Sequence, residues 1–322
     1  MKNKSILLTA LTATLFASRL AACDFCACDL PSLAFDTGKG FHFRVSEQFT
    51  HFGRLQQDNV AIANPAGEFM DSSVTQFIIG YDFSRALGVQ LNVPLVYRSF
   101  QRWHNGALDK GSVSGVGDVS FLVHWAPIHI VRSDFLVGVR FFAGLSLPTG
   151  DSSRVLEEGM EAEGGDADAP APMPSGIHGH DLALGSGSVS GIFGVDARIQ
   201  WKRIFLTAGL EATVRTKGAH GYTYADEMGW HGSLGAMLVD GDNFNLSLAA
   251  MCNGGSKGQD VFQGVRATDT SATIVYFGPE VAANWAKRYH AEVGVQFPVV
   301  RENSGVQSVP DWRVSATFGL RF

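Results

Sequence analysis

Two groups of residues in this 322-residue chain have the types and spacing to do chemistry. The first is the Cys-x-x-Cys-x-Cys run Cys23, Cys26 and Cys28, with Cys252 far away in sequence, which is not the pattern of a disulfide framework. Three readings stay open for it. Leu20-Ala-Ala-Cys23 fits a lipobox in which Cys23 is lipidated and adds a hydrophobic anchor, although Arg19 is awkward in the apolar approach. As thiolates, Cys23, Cys26 and Cys28 suit a soft metal ion or disulfide exchange, but no fourth local ligand completes a zinc site and no Cys-x-x-Cys-His haem attachment occurs. The plainest reading is a Cys26–Cys28 or Cys23–Cys26 disulfide in an oxidising compartment.

The second group runs through Glu157, Glu158, Glu161, Glu163, Asp166 and Asp168, then Pro170-Ala-Pro-Met-Pro174, then His178-Gly-His180-Asp181. Acidic groups beside imidazoles can hold a divalent cation, with His178, His180 and Asp181 as the ligands. The Pro, Gly and Ala around the charges equally suit a solvated loop. An inward-folded loop that constricts a lumen is the third use. Nucleophilic catalysis finds less support. Ser114 in Gly111-Ser-Val-Ser-Gly115 does not stand in a Gly-x-Ser-x-Gly elbow and reads as a loop before a strand. No catalytic residue and no cofactor are therefore expected.

The elements that would position these residues follow from the apolar pattern. Lys2 and Lys4 precede an apolar run from Ile6 to Ala17, with Ala21 and Ala22 after it, so residues 1–22 read as a signal peptide and 23–40 as a short Cys-rich segment. No later stretch reaches the roughly 18 to 20 apolar residues of a spanning helix. From Phe41 to Phe322 apolar residues alternate: Phe244, Leu246, Leu248 and Ala250 oppose Asn245 and Ser247, and Val314, Ala316, Phe318 and Leu320 oppose Arg313, Ser315, Thr317 and Arg321. The composition agrees, with 37 Gly, 23 Phe and only 17% charged residues. A net charge of −6 argues against a nucleic-acid partner.

The fold class this predicts is all-β: one antiparallel up-and-down barrel of about twelve strands over 41–322, with outer-membrane lipid against its wall. Strand centres fall near 46, 77, 91, 120, 139, 194, 209, 234, 247, 277, 294 and 316. Long links after Phe52, Phe100, Leu147, Thr216, Asn253 and Val300 alternate with tight ones such as Ser84-Arg85 and Ala286-Lys287-Arg288. The longest link spans 147–184. Short periplasmic turns and long outer loops give this asymmetry, which puts the amino end in the periplasm. Trp125, Trp201, Trp230, Trp285 and Trp312 near strand ends suit the headgroup boundary.

Parity then assigns a polar inner face. Arg44, Gln90, Asn92, Asp118, His124, Arg140, Asp196, Arg198, Glu211, Arg215, Glu280, Glu292, Arg313 and Arg321 should line the lumen. Both signs are present, so they either pair as a plug or border a polar path for a small-molecule solute.

Gly115-Val-Gly-Asp118-Val-Ser-Phe-Leu-Val and Gly144-Leu-Ser-Leu-Pro-Thr-Gly150-Asp151, with the terminal Phe322, resemble the MetA-pathway-of-phenol-degradation transporter-like family of outer-membrane barrels, from about Val74 onward. That resemblance implies a channel or transporter for small, often aromatic, organic compounds. It also implies that Phe322, in phase with Phe318 and Leu320, is read by the barrel-assembly machinery. Three other functions remain in play: a metal or redox accessory role for the cysteines, a lipid-modifying enzyme with its nucleophile and base at the lipid-facing rim, and adhesion through the long loops.

Overall fold

The computed structural model describes residues 38–158 and 175–322. The signal peptide, the three N-terminal cysteines, Glu161, Glu163, Asp166, Asp168 and the Pro170–Pro174 run lie outside the described residues.

Alternation of polar and apolar residues gives strands whose two faces want different surroundings, and closing the sheet on itself satisfies both. The wall is built from β1 (Gly40–Gln57), β2 (Phe69–Asp82), β3 (Leu87–His104), β4 (Ala107–Val116), β5 (Val119–Val131), β6 (Phe135–Leu147), β7 (Ser190–Trp201), β8 (Ile204–Arg215), β9 (Glu227–Asp240), β10 (Phe244–Lys257), β11 (Ala272–Trp285), β12 (Tyr289–Asn303) and β13 (Val306–Arg321). Chain neighbours pair antiparallel, and β13 pairs with β1 from His42↔Arg321 to Gln57↔Val306, which closes the barrel. β4 and β5 pair with the upper and lower parts of the same strand, β3, so they are one wall strand broken at Gly117-Asp118. The barrel therefore has twelve strands.

The loop-length parity holds with two corrections. The links after β1, β6, β8 and β10 are long, while 83–86, 132–134, 202–203, 241–243 and 286–288 are tight. Beyond Phe100 and Val300, however, the strands simply continue, and they are joined by the two-residue turns Asn105-Gly106 and Ser304-Gly305. Asn105 and Gly106 both have positive φ (51° and 76°), the geometry that matches the twist of a tight hairpin and that an Asn-Gly pair adopts at low cost. The tall hairpin this makes also carries Ser114 inside β4, not in a loop as its glycine-rich surroundings suggest.

Along β3, Leu91, Leu95 and Tyr97 face out and are exposed, while Gln90, Asn92 and Arg98 face in and are buried. The same division runs round the wall: Phe121, Phe141, Phe193, Leu206, Leu234, Phe277 and Phe318 all lie on the outer surface. So much outward apolar area is unfavourable in water and favourable against acyl chains. Trp125, Trp201 and Trp285 ring the end that carries the tight turns, with Trp125 stacked on Phe141 (6.0 Å) and Trp285 on Tyr289 (5.4 Å). Trp230 and Trp312 sit higher, toward the long loops, so the aromatic residues form two belts. Cys252 is a free thiol on the outer face of β10.

Candidate solute path and the loop that closes it

All the residues assigned to the interior by parity face inward, and the structure sorts them by height. At the tight-turn end a cavity of about 430 Å³ opens between the strand ends. Its wall carries seven cationic side chains, Arg44, Arg85, Arg140, Arg198, Lys287, Arg288 and Arg321, against one carboxylate, Asp82. Asp82 organises this end: its oxygens lie 2.9 Å from His124 Nε2, 3.5 Å from His42 Nδ1 and 2.7 Å from Arg321 Nη2. A step higher, Asp196 accepts from Arg140 (2.8 Å) and faces His231 (3.4 Å). The charges mixed along the sequence are therefore unevenly placed in space, with cations in excess at this end. Asp82 and His42 escape a sequence reading because they adjoin a turn and the first strand residue, although their even numbering keeps them in phase with Arg44 and Gln76.

Above this vestibule lie two smaller cavities of about 80 Å³ and about 60 Å³. The first is bordered by Glu280 and Glu292 with hydroxyls and amides, and Glu292 accepts from His290 Nε2 at 3.0 Å. The second is bordered by Asn92, Asp118, Glu211 and Arg215. Asn92 donates to Gln76 (3.0 Å), but both amide atoms of Gln90 and the amide nitrogen of Gln296 have no hydrogen-bond partner among the described residues, at 2% and 1% exposure. On β13, Arg313 donates to Thr50 (3.2 Å) and lies over the Tyr276 ring at 3.9 Å.

The long-loop end is filled. The described parts of the 148–189 link do not extend into solvent but turn into the barrel mouth, where Ile177 and Leu182 pack with Phe52, Met70 and Phe100. Leu182 is 0% exposed. The solvated-loop expectation fails for these residues because their apolar side chains find a greasy pocket in the upper wall. Polar anchors hold the wedge. Glu68, itself buried, accepts from the backbone N–H of Gly176 (2.9 Å) and of Trp103 (2.5 Å). Arg98 donates to the Ala183 carbonyl (2.6 Å), and Arg102 holds Glu157 (2.6 Å) and Asp109 (3.1 Å). Burial disfavours the Glu157 charge, yet Arg102 and Arg154 hold its carboxyl below the usual range. Glu68, Arg98 and Arg102 carry no sequence signal of this role, since their partner is a loop more than 50 residues away.

The two glycine-rich stretches meet at the foot of this wedge. Asp118 accepts from the Gly150 N–H (3.0 Å) and from the Ser186 N–H and hydroxyl (2.8 and 2.6 Å), while the Thr149 hydroxyl donates to the Gly117 carbonyl (2.8 Å). A side chain at Gly150 would collide with the backbone of Gly185, 2.7 Å from where its Cβ would stand. Both ends of the inserted loop are thereby pinned to the break between β4 and β5.

His178, His180 and Asp181 lie on and just before a single helical turn, α1 (Gly179–Leu182), and the structure does bring them together. His180 is held by Glu158, 2.8 Å from its Nδ1. Burial works against a charged ring there, but Asp181 and Glu158 push the imidazole up to about 10.

The outer face carries a polar cluster on β1 and β2. Glu47 accepts from the hydroxyls of Ser73 and Thr75, and His51 Nδ1 lies 2.6 Å from Asp71 with its ring stacked on Trp312. A rim hydrolase would need the serine hydroxyl on the histidine. Here Ser73 donates to Glu47 at 2.5 Å instead.

Among solved structures, the COG4313 outer membrane channel from Pseudomonas putida F1 matches 88% of this chain and 96% of its own, with a TM-score of 0.63 at 12% identity. The β domain of the Bordetella autotransporter BrkA matches at a TM-score of 0.44 and 13% identity, over 88% of this chain and 100% of its own. No family model and no curated protein matches the sequence. The first likeness shows a shared fold, and with the apolar outer band it makes this chain an outer-membrane barrel.

Proposed function

We propose that this barrel is a channel for small solutes, with a cationic vestibule that favours anions and an outer mouth closed by its own inserted loop. The observation that carries this is the unpartnered amide chemistry at the waist. Both amide atoms of Gln90 and the amide nitrogen of Gln296 are buried on the inner face without hydrogen-bond partners among the described residues, a costly arrangement in a dry plug and a favourable one where solvent or solute supplies the missing hydrogen bonds. A barrel filled only for stability would pair these groups or replace them with apolar ones. The excess of seven cations over one carboxylate in the vestibule sets the preferred charge, because low-dielectric walls focus the field of one sign. Small organic anions, aromatic carboxylates among them, fit this lining better than neutral hydrocarbons. The tight turns and both ends of the barrel wall face the periplasm in this reading.

The test is single-channel recording of the refolded barrel in planar bilayers under a salt gradient, followed by a panel of small organic anions, neutral aromatics and cations. Discrete conductance steps with a reversal potential on the anion side are expected. Silence across the panel, with the loop both present and deleted, would overturn the channel.

A further inference from the structure

The cluster around Asp181 has an arrangement that the wedge alone does not require. Each histidine turns one ring nitrogen to an outlying carboxylate and the other toward Asp181. His180 Nδ1 lies 2.8 Å from Glu158 and its Nε2 3.4 Å from Asp181 Oδ1. His178 Nε2 lies 3.6 Å from Asp269 and its Nδ1 3.9 Å from Asp181 Oδ2. That Nδ1 has no hydrogen-bond partner among the described residues, in a side chain 10% exposed. One ligand atom from each of the three residues lies within 4.8 Å of the others.

We propose that His178, His180 and Asp181 form a binding site for a divalent transition-metal ion, with Glu158 and Asp269 as the carboxylates that orient the two imidazoles. Metal-ligating histidines characteristically donate their second N–H to a carboxylate, which fixes the tautomer and makes the free nitrogen more basic. Two such histidines sharing a central carboxylate are the donor set of zinc-type ions, whereas calcium and magnesium favour oxygen alone. The spacing is close to what coordination needs. Ligands about 2.0 to 2.1 Å from a tetrahedral ion are roughly 3.3 Å apart, so small side-chain rotations bring these atoms into range. Supply is favoured as well: residues 155–184 hold seven Asp or Glu and no Lys or Arg, so the loop draws cations to itself.

The ion would tie together three separate stretches. Glu158 ends the first described part of the inserted loop, α1 lies in the second, and Asp269 belongs to the link between β10 and β11. Resting on the channel reading, this makes the metal a latch on the closed mouth.

The experiment is zinc titration of the purified, chelator-stripped full-length barrel by calorimetry, alongside the visible spectrum of its cobalt form. The His178→Ala/His180→Ala variant, checked for folding by heat-modifiable gel migration, isolates this site from the N-terminal cysteines. Wild type is expected to take up one more zinc ion than the variant, with nitrogen-ligated cobalt bands that the variant lacks. Glu158→Gln should keep the ion but weaken it by about tenfold to a hundredfold. Equal zinc uptake by wild type and variant, or displacement by equimolar calcium, would overturn the site. Should the double variant fail to fold, Asp181→Asn is measured against the same two outcomes. Conductance that rises on chelation in wild type alone supports the latch, and binding without any change in conductance leaves the site but removes that role.

Discussion

Arg102 and Arg140 both project from the inner wall, both are almost fully covered and both hold a carboxylate, yet they stand in opposite surroundings. Arg102, near the long loops, reaches Glu157 on the inserted loop and is 1% exposed, with its guanidinium over the Phe100 ring at 5.5 Å. Arg140, near the tight turns, pairs with Asp196 on the neighbouring strand and borders a cavity of about 430 Å³. Both arginines stand on the same inward face of the wall. What differs is whether anything besides the strands fills the space, and that decides whether an ion pair acts as a fastener or as part of a solvated lining.

The comparison is most sharply tested by removing each arginine. Arg102→Ala leaves the covered Glu157 without its inner partner, with Arg154 alone to hold it, and breaking a buried pair costs about 3–5 kcal/mol. The expected result is release of the loop, read as fast proteolysis within 148–189 and a rise in channel conductance, while the barrel's own heat stability hardly moves. A barrel that unfolds along with the loop would show that the two halves are not separable.

Leu182→Ala tests the apolar part of the same fastening. Truncating a fully buried leucine costs about 2–5 kcal/mol, or at least about a thirtyfold shift toward the released loop at the low end. Hydrogen exchange of residues 176–186 should speed up accordingly. The effect should be smaller than that of Arg102→Ala, and equal effects would mean that packing, not the ion pair, holds the mouth shut.

Acid should reach the same released state without mutation. Because Arg102 and Arg154 hold Glu157 below its unfolded value, its contribution is fully present above the ordinary carboxylate range and is lost as pH falls through the lowered one. Conductance should therefore rise below about pH 4 in wild type and change less in Glu157→Gln. An opening on the alkaline side alone would contradict the sign.

The smallest effect on stability is expected at the other end. Arg140→Gln keeps an amide that can donate to Asp196, which also faces His231, and the pair touches no residue of the inserted loop, so the loop should stay closed. Its consequence is electrical: loss of one of seven cationic groups should move the reversal potential toward zero. A large loss of stability would place Arg140 in a dry core and erase the contrast with Arg102.

Much of the wall was legible because a β-strand has a period of two. Parity sent Arg44, Gln90, His124, Arg140, Glu292 and Arg313 inward without any knowledge of strand neighbours, and each of the twelve strand centres lies inside an observed strand. Link length was less secure. Phe100 and Val300 were followed by polar residues that resemble loops, but a strand standing clear of the membrane is polar on both faces, so composition no longer separates the two. The lipid-facing cluster was invisible for a related reason, since Glu47, Ser73 and Thr75 meet only through the pairing of β1 with β2.

The amino-acid sequence by itself determined a closed, greasy-outside, polar-inside barrel, because local alternation is enough to specify which face each residue takes. It also placed His178, His180 and Asp181 in one link as possible ligands. Only the tertiary structure decided that this link enters the barrel, that Glu68, Arg98 and Asp118 hold it there, and that cations gather at one end and carboxylates at the waist. These depend on register and loop path, which bring together residues tens to hundreds of positions apart. No short-range pattern records such distances.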